Sequence, residues 1–115
     1  MTEPGLPLPT DEQLAPEALE ILQALPPLNV FRAIAALPAS FRPFMELGGS
    51  ILGGANLTPV ERELAILRVA HVTNAPYERQ QHEQLARAVR TGEPEIEATA
   101  TDAPEAVLDA DGALI

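Results

Sequence analysis

Apolar residues in this chain recur at intervals of three and four, punctuated by proline and glycine, and rarely alternate with period two. The pattern predicts helices throughout, and it is cleanest between Leu57 and Gly92. Thr58-Pro59-Val60-Glu61 carries three helix-start signals at once. A threonine oxygen can accept from the N3 backbone, proline suits N1, and a glutamate at N3 reaches back to the cap. Leu64, Ile66, Leu67, Val69, Ala70 and Val72 follow densely enough for a helix buried around most of its circumference. Asn74-Ala75-Pro76 breaks that helix, and Pro76 fits the first turn of the next, which runs to about Arg90 with Gly92 as its stop. The pair reads as an αα-hairpin over about 58–73 and 76–90.

Spacing alone gives the hairpin a chemical consequence. Glu63 lies eleven residues before Asn74, about 16 Å back along the first helix at ~1.5 Å per residue. His82 lies seven residues after Ala75, roughly 10 Å along the second. Across an antiparallel pair the two fall about one turn apart. Glu78 and His82 are spaced i,i+4, and Leu85, Ala86 and Val89 continue that face. An acid and a histidine on or beside a buried stripe are costly, which makes them candidates for chemistry. Against this, a carboxylate-bonded histidine can be purely structural. Tyr77 is of a type more often met as a packed aromatic than as a catalytic acid.

The flanks are shorter and more broken. Thr10-Asp11-Glu12-Gln13 suits a capped turn, and Pro16 to Leu25 places Ala18, Leu22 and Leu25 on one face. Asn29 is a candidate cap for a short helix turning Phe31, Ile34 and Leu37 inward, and Pro38 stops it. A longer helix from about Ala39 to Leu52 carries Phe41, Phe44, Leu47 and Ile51. The Gly48-Gly49 pair inside it, at roughly 1 kcal/mol per glycine, points to close helix packing or a kink. Gly53-Gly54-Ala55-Asn56 reads as a loop, and Glu93-Pro94-Glu95 as the start of another short helix. Residues 1–9 and about 99–115 are expected to be mobile. Asp109-Ala110-Asp111-Gly112 lacks the glycine placement of a calcium loop.

Composition narrows the classes. At 115 residues the chain is expected to form a single domain, and 3% aromatics against 46% hydrophobics implies an aliphatic core. The absence of cysteine excludes disulfides, thiolate metal sites and thiol nucleophiles. All seven basic residues are arginines at or before Arg90, and the net charge is −10. An acidic chain without a basic patch argues against nucleic acid and anionic membrane as partners. Without an apolar run of transmembrane length or a signal-like start, the expected location is cytoplasmic. His71 and His82 lack the tight spacing of a metal motif such as H-E-x-x-H, and no metal or other cofactor is expected.

The segments Pro27-Leu28-Asn29-Val30-Phe31-Arg32 and LTPVERELAILRVAHVTNAPYERQQHEQLARA resemble the carboxymuconolactone decarboxylase family, which includes the AhpD-like alkylhydroperoxidases. The likeness covers about residues 27–98. It implies an all-α, AhpD-like helical domain built around the hairpin, and a homo-oligomer, trimer or hexamer, with sites near subunit interfaces. The family's peroxidase branch carries a glutamate, a C-x-x-C pair and a histidine. Counted from His82, these positions are Glu63, Ala75, Glu78 and His82, so the acid and histidine are kept and both cysteines are gone. Disulfide-cycling peroxidase chemistry does not survive that change. Many cysteine-free relatives have tryptophan after the Tyr-Glu pair, where this chain has Arg79.

The decarboxylase branch works without cysteine. The resemblance therefore implies an acid–base enzyme of decarboxylase or lyase type acting on a small carboxylated or lactone substrate. His82, Glu63 and Glu78 are its expected catalytic residues, with Tyr77, Arg68 and Arg79 as candidates for binding substrate. The competing expectation is a non-catalytic or shortened helical oligomer of the same fold.

Overall fold

The computed structural model describes residues 5–54 and 56–104. Among them every regular element is helical, and no strand occurs. The chain divides between Ala55 and Asn56 into two compact units.

The first unit opens with a 3-10 turn at Asp11–Gln13, where the Thr10 N–H donates to Gln13 Oε1 at 2.9 Å. Three helices follow: α1 (Pro16–Gln23), α2 (Asn29–Ala35) and α3 (Pro38–Gly54). Leu14, Ala18, Ala35 and Phe41 form the buried centre, with Leu22, Leu25, Ile34 and Met45 packed against it. The face predicted for α1 is therefore the packed one. Two short helices cover only the start of α3. Phe41 is fully buried, while Phe44, Leu47 and Ile51 of the same helix are about half exposed. Leu37 is exposed as well. Close packing does not explain Gly48 and Gly49, because a Cβ on either would meet nothing within 4 Å. Asn29 begins α2 without capping it through its side chain, and Leu28 holds the cap position.

The second unit contains α4 (Pro59–Val72), α5 (Pro76–Ala88) and α6 (Glu93–Ala98). Thr58 starts α4 by the predicted reciprocal pair. Its Oγ1 accepts from the Glu61 N–H at 3.2 Å, and its own N–H donates to Glu61 Oε2 at 2.7 Å. At the other end Asn74 takes a left-handed φ of 52°, and the Ala75 N–H closes onto Ala70 O at 2.8 Å. That reversal sends α5 back along α4. The end of α5 repeats the device with Arg90 at φ 66° and the Thr91 N–H on Ala86 O at 2.9 Å. Gly92, expected as the stop, instead caps α6 with an ordinary φ of −68°. Its N–H donates to Glu95 Oε2 at 2.8 Å, and an added Cβ would lie 3.0 Å from that oxygen.

Leu67, Ala86 and Ile96 form the centre of this unit, one residue from each helix and each at most 2% exposed. α5 and α6 cover α4 along Glu63, Leu64, Leu67 and Ala70. Val69 and Val72 are 60% and 68% exposed, so α4 is not buried around most of its circumference as its composition suggests. The expectations for Asp109–Gly112 and for residues 105–115 of the tail lie outside the described residues.

Candidate active site

Glu63 is held in the first turns of α4 by the Thr58 cap and faces inward on the same stripe as Leu67 and Ala70. It is 1% exposed. A carboxylate in that position needs partners on both oxygens. Oε1 accepts from Arg62 Nε at 3.1 Å, and Oε2 lies 2.7 Å from His82 Nδ1 on α5. Since Arg62 donates from the other side, the carboxylate acts as acceptor, and the network assigns the ring proton to Nδ1.

That leaves Nε2 as the ring's exchangeable position. It lies 3.7 Å from Oε2 of Glu78, one helical turn earlier on α5. The His82 side chain is 15% exposed and that of Glu78 49%, so the three groups run from the core outward. The ring thus stands between two carboxylates, with Nδ1 on Glu63 and Nε2 towards Glu78. At 3.7 Å Nε2 and Glu78 are beyond direct hydrogen-bond reach, so proton exchange between them, the step general acid–base chemistry requires, needs the two to close by roughly 0.5 Å or a bridging water.

Glu78 also lines a pocket of about 250 Å³ on α4 and the start of α5. Ala65, Ile66, Val69, Ala70 and Ala75 supply its apolar wall, with Thr73 at its end. The Thr73 hydroxyl is turned onto Val69 O at 2.7 Å, leaving Glu78 as the pocket's only charged side chain. A second pocket, of about 270 Å³, lies in the first unit beside the Arg32–Asp11 ion pair and holds none of the predicted residues.

The structure thus brings Glu63, His82 and Glu78 together. Tyr77, one residue before Glu78, is 39% exposed. Arg68 and Arg79 lie elsewhere, at the C-terminal end of α6. Arg68 Nη1 donates to Thr99 O and Thr101 O at 3.2 and 2.6 Å. Arg79 donates from Nη1 to Thr99 Oγ1 and from Nη2 to Ile96 O, both at 3.1 Å, and its Nε sits 2.9 Å from Glu83 Oε1. Arg62 was not foreseen as a site residue. Neighbours at i,i+1 do not share a helix face, so spacing gave no sign of its contact with Glu63. Thr99, 1% exposed, lies beyond the segment that the sequence pattern singled out. Among the described residues no group of three or more His, Cys, Asp or Glu is arranged to hold a metal ion. No helix among them is long and apolar enough to cross a membrane.

Comparison with curated proteins and with solved structures returned no significant match. The sequence profile of the carboxymuconolactone decarboxylase family matches residues 38–110, from the start of α3 through the whole hairpin and α6. On that match, which takes in Glu63, Glu78 and His82, the chain belongs to the carboxymuconolactone decarboxylase family.

Proposed function

We propose that this family member is a cysteine-independent acid–base enzyme of decarboxylase or related lyase type, acting on a small carboxylated or lactone substrate. The observation that carries the reading is the line from buried Glu63 through His82 to Glu78, which opens on an apolar pocket. Glu63 fixes the His82 tautomer, Nε2 carries the proton, and Glu78 exchanges it with a substrate carbon. An apolar wall beside the acid suits the neutral body of a small ring. Tyr77, a candidate for binding substrate, is not among the residues that line this pocket. Arg68 and Arg79 would reach a substrate carboxylate only by releasing the α6 carbonyls.

The test is turnover of a panel of small unsaturated lactones and lactone acids, followed by NMR of substrate and product. His82→Ala is expected to lower the rate about 10²–10⁴-fold, the usual weight of a positioned proton carrier, with the helical circular dichroism unchanged. A rate that ignores the substitution overturns the reading.

A second reading is favoured by a different observation. Leu57, Val72 and Leu85 of the second unit are each 48% exposed or more, which suits a helical oligomer in which the histidine pair is structural. Self-association is compatible with either reading. Light scattering on the wild type and on Val72→Glu, Leu85→Glu checks it, a drop in mass being the expected outcome.

A further inference from the structure

The pocket beside Glu78 bears on which of the two substrate kinds left open by the proposed function is the right one. Its wall is alanine, isoleucine and valine, and its one hydroxyl is committed to its own helix. Its single charge is negative, on a carboxylate about half exposed. Neither of the nearby arginines on α4 and α5 that were candidates for an anion lines it: the guanidinium groups of Arg68 and Arg79 are tied to the end of α6. A substrate carboxylate seated there would meet a like charge and no cation, after losing its own hydration. At about 250 Å³ the space is also small for a ligand pocket, which usually spans about 300–1,000 Å³.

We infer that the pocket formed by Ala65, Ile66, Val69, Thr73, Ala75 and Glu78 takes a small uncharged carbonyl compound, a lactone without a free carboxylate, and refuses its acid counterpart. The inference rests on the lyase arm of the proposed function for the identity of the site, since a substrate without a carboxylate has no CO₂ to lose and decarboxylation drops out; its test is one of binding, separate from turnover. Glu78 then has two roles: it exchanges the proton and it sets the charge the site accepts. Repulsion of anions gives selectivity where an apolar wall alone discriminates poorly.

The probes are a matched pair, 5-oxotetrahydrofuran-3-carboxylic acid at neutral pH and its methyl ester. Binding is followed by amide and methyl NMR shifts of the full chain. The ester is expected to shift Val69, Ala70 and Ala75 and to bind at least ~10-fold more tightly than the acid, a difference of about 1.4 kcal/mol. Two variants probe the cause. Glu78→Gln should bring the acid to within about threefold of the ester, since it removes the repulsion while keeping the shape. Thr73→Lys places a cation at the pocket's end, where the α4 C-terminus favours positive charge, and should reverse the preference. Equal or tighter binding of the acid to the wild type overturns the inference, as does shifting by neither probe. If the ester binds as described but His82→Ala leaves turnover intact, the catalytic reading fails and the charge selectivity stands.

Discussion

His82 Nδ1 and Glu63 Oε2 are 2.7 Å apart, bridging α4 and α5 at a point where the carboxylate is 1% exposed. Glu63→Gln keeps the shape but removes the charge that holds the ring proton on Nδ1. Hydrogen bonds to charged groups contribute about 1.5–3 kcal/mol, and a loss of that order is expected in urea unfolding. The ring should then populate both neutral tautomers, which long-range ¹H–¹⁵N spectra of the imidazole distinguish. If the Nδ1–H form persists undiminished in the variant, Glu63 does not set the tautomer.

Leu67, Ala86 and Ile96 pack as one cluster at the centre of the second unit, and Ile96 is the larger of the two buried apolar side chains of six-residue α6. Ile96→Ala should cost about 2–5 kcal/mol in denaturant unfolding, with the deleted methyls and the cavity both contributing. Exposed Val72, 68% accessible, gives the contrast. Val72→Ala, measured where light scattering gives the monomer mass so that no subunit contact contributes, should fall within about 0.5 kcal/mol of wild type.

Features fixed by a few consecutive residues were legible in the sequence. The Thr58–Glu61 box forms as its spacing requires, and helical rise plus a tight reversal at Asn74 bring Glu63 and His82 into register. What periodicity misses is how many neighbours a helix has. Val69 and Val72 look buried by type, but α5 and α6 cover only the other side of α4. Arg68 and Arg79 were legible as cations near the hairpin. Their actual partners, Thr99, Thr101 and Ile96 O, depend on where α6 ends in space, which no local pattern encodes. Arg90 shows the converse limit. A left-handed residue was needed near the end of α5, and the nearby glycine drew the assignment although Arg90 adopts that conformation.

Arg87 Nε and Glu93 Oε1, 2.6 Å apart, join the last turn of α5 to the first of α6. The Arg87 hydrogen bond holds the Glu93 carboxyl below its usual range, outweighing the opposing effect of desolvation. A carboxyl depressed in the folded state stabilises above its unfolded value, about 4.3, and that contribution is lost as pH falls through the lower folded value. Wild type should therefore lose stability relative to Glu93→Gln on going below about pH 4. Both side chains are about half exposed, so the difference should also shrink in 1 M salt, where the Debye length is about 3 Å. Unfolding curves of the two proteins at several pH values check the slope. Parallel pH profiles would mean that the pair contributes nothing.

Arg79 couples the site-bearing helix to α6 through three separate donors. Nη1 reaches buried Thr99, Nη2 reaches Ile96 O, and Nε pairs with Glu83 one turn along α5. The carbonyl of Ile96, near the end of α6, already accepts from the Thr99 hydroxyl at 2.6 Å, and the guanidinium adds a second donor supplied from another helix. Arg79→Met keeps most of the stem packing and removes all three donors. A loss of about 1.5–3 kcal/mol is expected from the charged-group hydrogen bonds removed, with Ile96 O keeping the Thr99 hydroxyl donor at 2.6 Å. Arg79→Lys should recover only part of it, since one ammonium cannot reproduce the planar fork. Hydrogen exchange locates the effect: amides near residues 96–101 should lose protection well before those of α4. The line from Glu63 to His82 runs between α4 and α5 and does not pass through α6. His82 should therefore keep its Nδ1–H tautomer in Arg79→Met, and a changed tautomer there would show that the clamp also positions the site.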